Sequence, residues 1–131
     1  MSSFVKCSLI ILLLTGHTVL KGQEKPKVYE KVDEVAYYKG GKKAWSRYLV
    51  RNLVYPESAK SKGIEGTVDL SLIISAEGGI AEAIVLDSPN NAMTAAALKV
   101  VYRSTKKWKA GKKDDKPVYS KVRVMIIFKL K

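Results

Sequence analysis

The sequence predicts an α+β fold, a three-stranded antiparallel sheet with helices packed on one face. Three observations carry that prediction. Apolar residues recur at helical spacing through Trp45, Tyr48 and Leu49. The period then drops to two along Val68, Leu70, Leu72 and Ile74. The chain closes on a long alternating run from Val118 to Leu130. With a second short helix, a hairpin and a third helix between them, the order is helix, helix, strand, strand, helix, strand. That is the order of a layered domain.

Residues 23–41 form an N-terminal extension with Pro26, alternating charges and a short edge strand at Val28–Val32. The domain proper occupies residues 42–131. Gly40-Gly41 mark a turn before a helix over Lys42–Asn52. Tyr55-Pro56 stop that helix, and Pro56 suits the first position of a second one, Glu57–Lys62, which Gly63 caps. A strand over Gly66–Ile74 turns at Ser75–Gly79, which includes Gly78, and returns over Ile80–Leu86. Asp87–Asn91 break the pairing, and Asn90 or Asn91 caps a helix over Met93–Ser104. Lys106–Gly111 end it, and Lys112–Lys116 read as a polar loop. In the last strand Val118, Val122, Val124, Ile126, Phe128 and Leu130 face one way, with Ser120 the lone polar residue in the row. Tyr119, Lys121, Arg123, Met125, Ile127 and Lys129 face the other.

The 131 residues suit one domain, and 47% apolar with 27% charged residues is an ordinary globular balance. A short basic start, the apolar run Cys7–Leu14 and small residues before Gln23 read as a secretory signal over residues 1–22. A membrane anchor fits less well, because Cys7 to Leu20 spans only about 21 Å of helix against a hydrocarbon core of about 30 Å. Cleavage after Gly22 removes Cys7 and His17, the one Cys and one His of the chain. The exported domain then has no disulfide, no Cys nucleophile, no His base and no Cys/His zinc site. The expectation is therefore no enzyme, no catalytic residue, no metal and no cofactor. The formal charge of +12 attracts anionic surfaces. Lys42-Lys43, Lys106-Lys107, Lys109 and Lys112-Lys113 read as a solvated basic face, and export argues against nucleic acid as the partner. Gly40-Gly41-Lys42-Lys43 lacks the spacing of a phosphate loop, and Asp114-Asp115 have no third cation ligand nearby in sequence.

An ordered set of residues resembles the C-terminal domain of the TonB family. It runs from Tyr55-Pro56-x-x-Ala59 through Gly63-Ile64-x-Gly66-x-Val68 and Glu77-Gly78-Gly79-Ile80. It continues through Ala96-Ala97-Leu98-x-x-Val101, Trp108 and Pro117-Val118 to Phe128. Upstream, Gly40-Gly41, Trp45, Leu49 and Asn52 are similar to an extension found in one branch of that family. The resemblance implies a periplasmic binding domain that grips the TonB box of a TonB-dependent outer-membrane receptor, a short segment that adds to the edge of the last strand. It also implies an anchored inner-membrane energising complex as a second partner. Carried over, the edge is Val118–Leu130, with Tyr119, Lys121, Arg123, Met125, Ile127 and Lys129 nearest the receptor segment. Two positions depart from the pattern: Lys109 stands where a proline is usual after the tryptophan, and Asp115-Lys116 replace Asp-Gly. The first 41 residues hold Pro26 but no long proline-rich spacer, so the expectation is a domain that binds without itself transmitting force.

Several residues carry two readings. Tyr55-Pro56 mainly join two helices, and Trp108 reads as a core plug with its indole N–H in water. Lys121, Arg123 and Lys129 serve either to meet an acidic ligand or to guard an edge strand against aggregation. Two alternatives to receptor binding remain: electrostatic binding of an anionic cell-envelope polymer, and self-association of two copies through the last strand.

Overall fold

In the computed structural model residues 25–131 are described, and the expected signal segment lies outside them. The elements are β1 (Val28–Tyr29), β2 (Tyr37–Tyr38), α1 (Gly41–Asn52), α2 (Glu57–Ser61), β3 (Gly66–Ile74), β4 (Ile80–Asp87), α3 (Asn91–Arg103), β5 (Trp108–Lys109), β6 (Gly111–Lys113) and β7 (Lys116–Phe128). The α+β class stands, and every helix and long strand falls at or within about two residues of its expected place. The three long strands form an antiparallel sheet with β3 in the middle, β4 on one side and β7 on the other.

One face of that sheet is the core. Val68, Leu70, Leu72 and Ile74 of β3 are fully buried, as are Ile126 and Phe128 of β7. Across them lie Met93, Ala97, Val100 and Val101 of α3, which is capped at its start by Asn90 Oδ1 accepting from the Met93 N–H at 2.9 Å. Alanine at position 97 brings the helix close to the strands beneath it. The opposite face carries Thr67, Asp69 and Ser71 of β3 beside Lys121, Arg123, Met125 and Ile127 of β7, so the alternation predicted for β7 holds.

An aromatic cluster forms a second layer of packing. Trp45 stands 5.2 Å from both Tyr38 and Trp108, centroid to centroid, and stacks on Tyr48 at 5.5 Å. Tyr48 Oη donates to the Val100 carbonyl at 2.7 Å and so ties α1 to α3. Burial, with the neighbouring Tyr38 second, pushes the Tyr48 phenol above its ordinary pKa. Trp108 is buried and its indole N–H donates to Ser104 Oγ at 2.9 Å. That corrects the expectation of a wet indole, because the last turn of α3 supplies the acceptor. The tip of the β3–β4 turn rests on the same tryptophan. Gly78 has φ +85°, and a Cβ there would come 2.2 Å from the Trp108 carbonyl oxygen, so only glycine fits.

Short pairings add what periodicity did not show. β2 pairs antiparallel with β5, Tyr38 opposite Trp108. The stretch expected as a polar loop, Lys112–Lys116, instead holds the end of β6 and a hairpin into β7, with Lys113 opposite Lys116. The extension strand is two residues long, not five, and it lies parallel on β7 with Val28 opposite Tyr119 and Tyr29 opposite Ser120.

Candidate partner-binding edge

The sheet has two lateral edges, and the chain treats them differently. On β4, outward amides are taken by side chains near the end of α3: the Ile80 N–H donates to Thr105 Oγ1 and the Ala83 N–H to Tyr102 Oη, each at 3.0 Å. Side chains that cap edge amides remove the template for another strand. On β7 the covering is partial. β6 pairs with Lys116–Val118, β1 covers Tyr119–Ser120 on the side away from β3, and residues 121–128 have no backbone partner on that side among the described residues. The expected open edge, Val118–Leu130, is thus shortened at both ends. Its start is filled by the chain's own backbone, and the strand itself ends at Phe128.

Strand geometry sets which groups face outward on the open stretch. On β4 the Ala83 N–H points outward, so Leu72 opposite it faces β7 and Val122 opposite Leu72 faces β3. Arg123, Met125 and Ile127 therefore turn their N–H and C=O toward the open side, while Val122, Val124 and Ile126 turn theirs toward β3. The side chains of the latter three point to the core face, where Val122 and Val124 are only half-buried.

Beside this backbone runs an apolar groove between β7 and α1. One part, about 500 Å³, is walled by Val35, Tyr38, Trp45, Val122 and Val124, among others. The next, about 410 Å³, is walled by Leu49, Val50, Leu53, Tyr55, Ile127 and Phe128, among others. The two share Trp45, Ser46 and Met125, so they form one furrow along the open edge. Trp45 is fixed by the aromatic cluster. At the far end Tyr55 meets Phe128 edge to face at 5.5 Å and donates its hydroxyl to the Ile64 carbonyl. Tyr55-Pro56 therefore both join the helices and build a wall of the groove.

The six residues expected nearest a partner project from the other face of the same strand, with Arg123, Met125, Ile127 and Lys129 also reaching the groove lining, and their roles divide. Tyr119 sits beneath β1. Lys121 is paired with Glu30 at 3.2 Å. Arg123 grips Asp69 with two hydrogen bonds, its Nε donating to Oδ1 at 2.9 Å and its Nη2 to Oδ2. That grip holds the Asp69 carboxyl below the usual carboxylate range and raises the guanidinium pKa. Met125 and Ile127 are 53% and 64% exposed, which is unusual for side chains so apolar. Lys129 has no ion-pair partner among the described residues and lines the second part of the groove.

Of the motif residues, Gly63 ends α2 with φ +67°, and Gly66 opens β3 where a Cβ would come 2.4 Å from Pro89 Cγ. Pro117 sits at the start of β7, where the strand needs no donor from it. Sequence reasoning missed the groove walls on α1. The available signal was Val50, an apolar residue off the buried stripe and 85% exposed. The described residues contain no group of three His, Cys, Asp or Glu able to hold a metal ion. No helix among them is long and apolar enough to cross a membrane.

A family model for the C-terminal region of Gram-negative bacterial TonB proteins matches residues 51–130. Among solved structures, the solution structure of the TonB C-terminal domain of Helicobacter pylori superposes with a TM-score of 0.54. The two are 23% identical, and the match covers 68% of this chain and 92% of that one, which speaks to the fold. No curated protein matches the chain. With more than half its length under the family model, this chain belongs to the TonB C-terminal domain family, a non-catalytic family associated with transport.

Proposed function

We propose that the chain is an exported, periplasmic domain that binds an extended segment of an outer-membrane receptor by strand addition to residues 121–128 of β7. Export rests on the signal-like residues 1–22. The observation that carries the binding mode is an unpaired backbone edge directly beside an apolar furrow. Main-chain hydrogen bonds to Arg123, Met125 and Ile127 supply affinity, and alternate side chains of the visitor enter the furrow. Force, where transport needs it, comes from an anchored inner-membrane complex.

Titration with a TonB-box peptide tests this by NMR. Backbone amides of Arg123, Met125 and Ile127 shift most, and those of Val122, Val124 and Ile126, which bond to β3, shift less. Shifts confined to the lysines of residues 106–113 would sink the proposal.

The exposed Met125 and Ile127 also support a second reading, in which two copies join along the same stretch. Sedimentation at increasing concentration separates the two, because a dimer forms without any peptide.

A further inference from the structure

We infer that the aromatic part of the groove is a specificity pocket for one large apolar side chain of the added strand, and that the segment it selects is negatively charged. The inference rests on the strand-addition reading above and goes beyond it by assigning which residue of the visitor is read, and by what.

The register follows from the edge. β1 ends opposite Ser120, so an added strand starts or stops next to Lys121. Residues directly opposite one another in a sheet project on the same face. A visitor residue opposite Val122 or Val124 therefore points its side chain to the core face, into the space of about 500 Å³ beside Tyr38, Trp45 and Val35. Trp45 cannot collapse into that space, because Tyr38, Tyr48 and Trp108 hold it at 5.2–5.5 Å. The pocket is open, rigid and apolar. At the other end of the furrow Leu49, Val50, Leu53 and Ile127 join the Tyr55–Phe128 pair in a smaller space of about 410 Å³, and Val50 is 85% exposed.

The charge of the occupant follows from the rims. No carboxylate lines either part of the groove; Lys42 borders the first and Lys129 the second. A second copy of a chain with formal charge +12 is repelled by the same rims, whereas an acidic segment is attracted. The chain's own β1 demonstrates that this edge accepts an extended segment.

The test uses capped eight-residue peptides of Thr and Ser with one Glu and a single Leu, the Leu moved one position at a time, titrated into the full chain. Calorimetry reads affinity and NMR confirms pairing along residues 121–128. Burying the Leu raises affinity roughly tenfold or more over an all-Thr/Ser control, and only in registers that set it opposite Val122 or Val124. Ser46→Trp plugs the furrow from an exposed position without touching the core, and it abolishes the dependence on Leu position. Lys42→Glu weakens every acidic peptide at low salt. Peptides that shift the β7 amides with affinity indifferent to Leu position overturn the pocket and leave strand addition standing. Peptides that shift no β7 amide overturn both. A wild-type chain that is dimeric before peptide is added, with Ser46→Trp monomeric, assigns the groove to a second copy and overturns the inference.

Discussion

Two buried serines show how the same residue type acquires opposite value from its neighbours. Ser104 is fully buried; its hydroxyl donates to the Val101 carbonyl at 2.6 Å and accepts from the Trp108 indole. Ser120 is equally buried, yet its Oγ has no partner among the described residues. It is pressed against Gly111, where a Cβ would come 2.5 Å from Oγ. A buried hydroxyl without a bond keeps its full desolvation cost, whereas a bonded one recovers it. Ser120→Ala is therefore expected to stabilise the domain by about 1 kcal/mol, and Ser104→Ala to destabilise it by about 1–3 kcal/mol. Urea denaturation midpoints read both, and a destabilised Ser120→Ala would show that the hydroxyl is bonded after all. The sequence marked Ser120 as the polar exception in an apolar row, but whether such an exception is satisfied depends on loops that arrive from elsewhere.

At the scale of elements, the β6–β7 hairpin turns on two residues that both lie in the left-handed region, Asp114 at φ +52° and Asp115 at φ +63°. This is the turn that usually ends in glycine, and Asp tolerates it at some cost. Asp33 supports it, its carboxylate accepting from the Asp114 N–H at 2.8 Å. Asp115→Gly relieves the strain at the second position and stabilises the hairpin by about 0.5–1 kcal/mol, visible as slower amide exchange in β6. Faster exchange there would mean that the turn needs the aspartate side chain.

The same hairpin marks the boundary of what could be read from the sequence. Helices α1 and α3 and strands β3, β4 and β7 were legible to within about three residues because a core face imposes a period over many positions. β1, β2, β5 and β6 have two or three residues each and exist through partners far away, as Tyr37 does through Lys109. No period survives over so short a span. The open edge was legible for the same reason, since a long last strand in this order borders the sheet. That Val28 and Tyr29 would cover its first residues was not, and neither was the groove, which α1 forms with β7 across the gap between them.

For the molecule as a whole, the charge of +12 and the open edge suggest two kinds of partner, and salt separates them. A cationic surface binding an anionic polymer draws on many lysines at once, each acting through solvent. Screening over about 10 Å at 0.1 M shrinks to about 3 Å at 1 M, so that binding collapses as salt rises. Strand addition draws on backbone groups and apolar burial, and the two cations on β7 nearest the edge are already committed, Lys121 to Glu30 and Arg123 to Asp69. Of the rim charges only Lys42 and Lys129 remain to respond. Between about 0.1 and 1 M salt, peptide affinity should change by no more than about threefold while polymer affinity falls more than about tenfold. A peptide complex that dissolves with the same salt slope as the polymer would mean that the lysine face, not the strand edge, holds it.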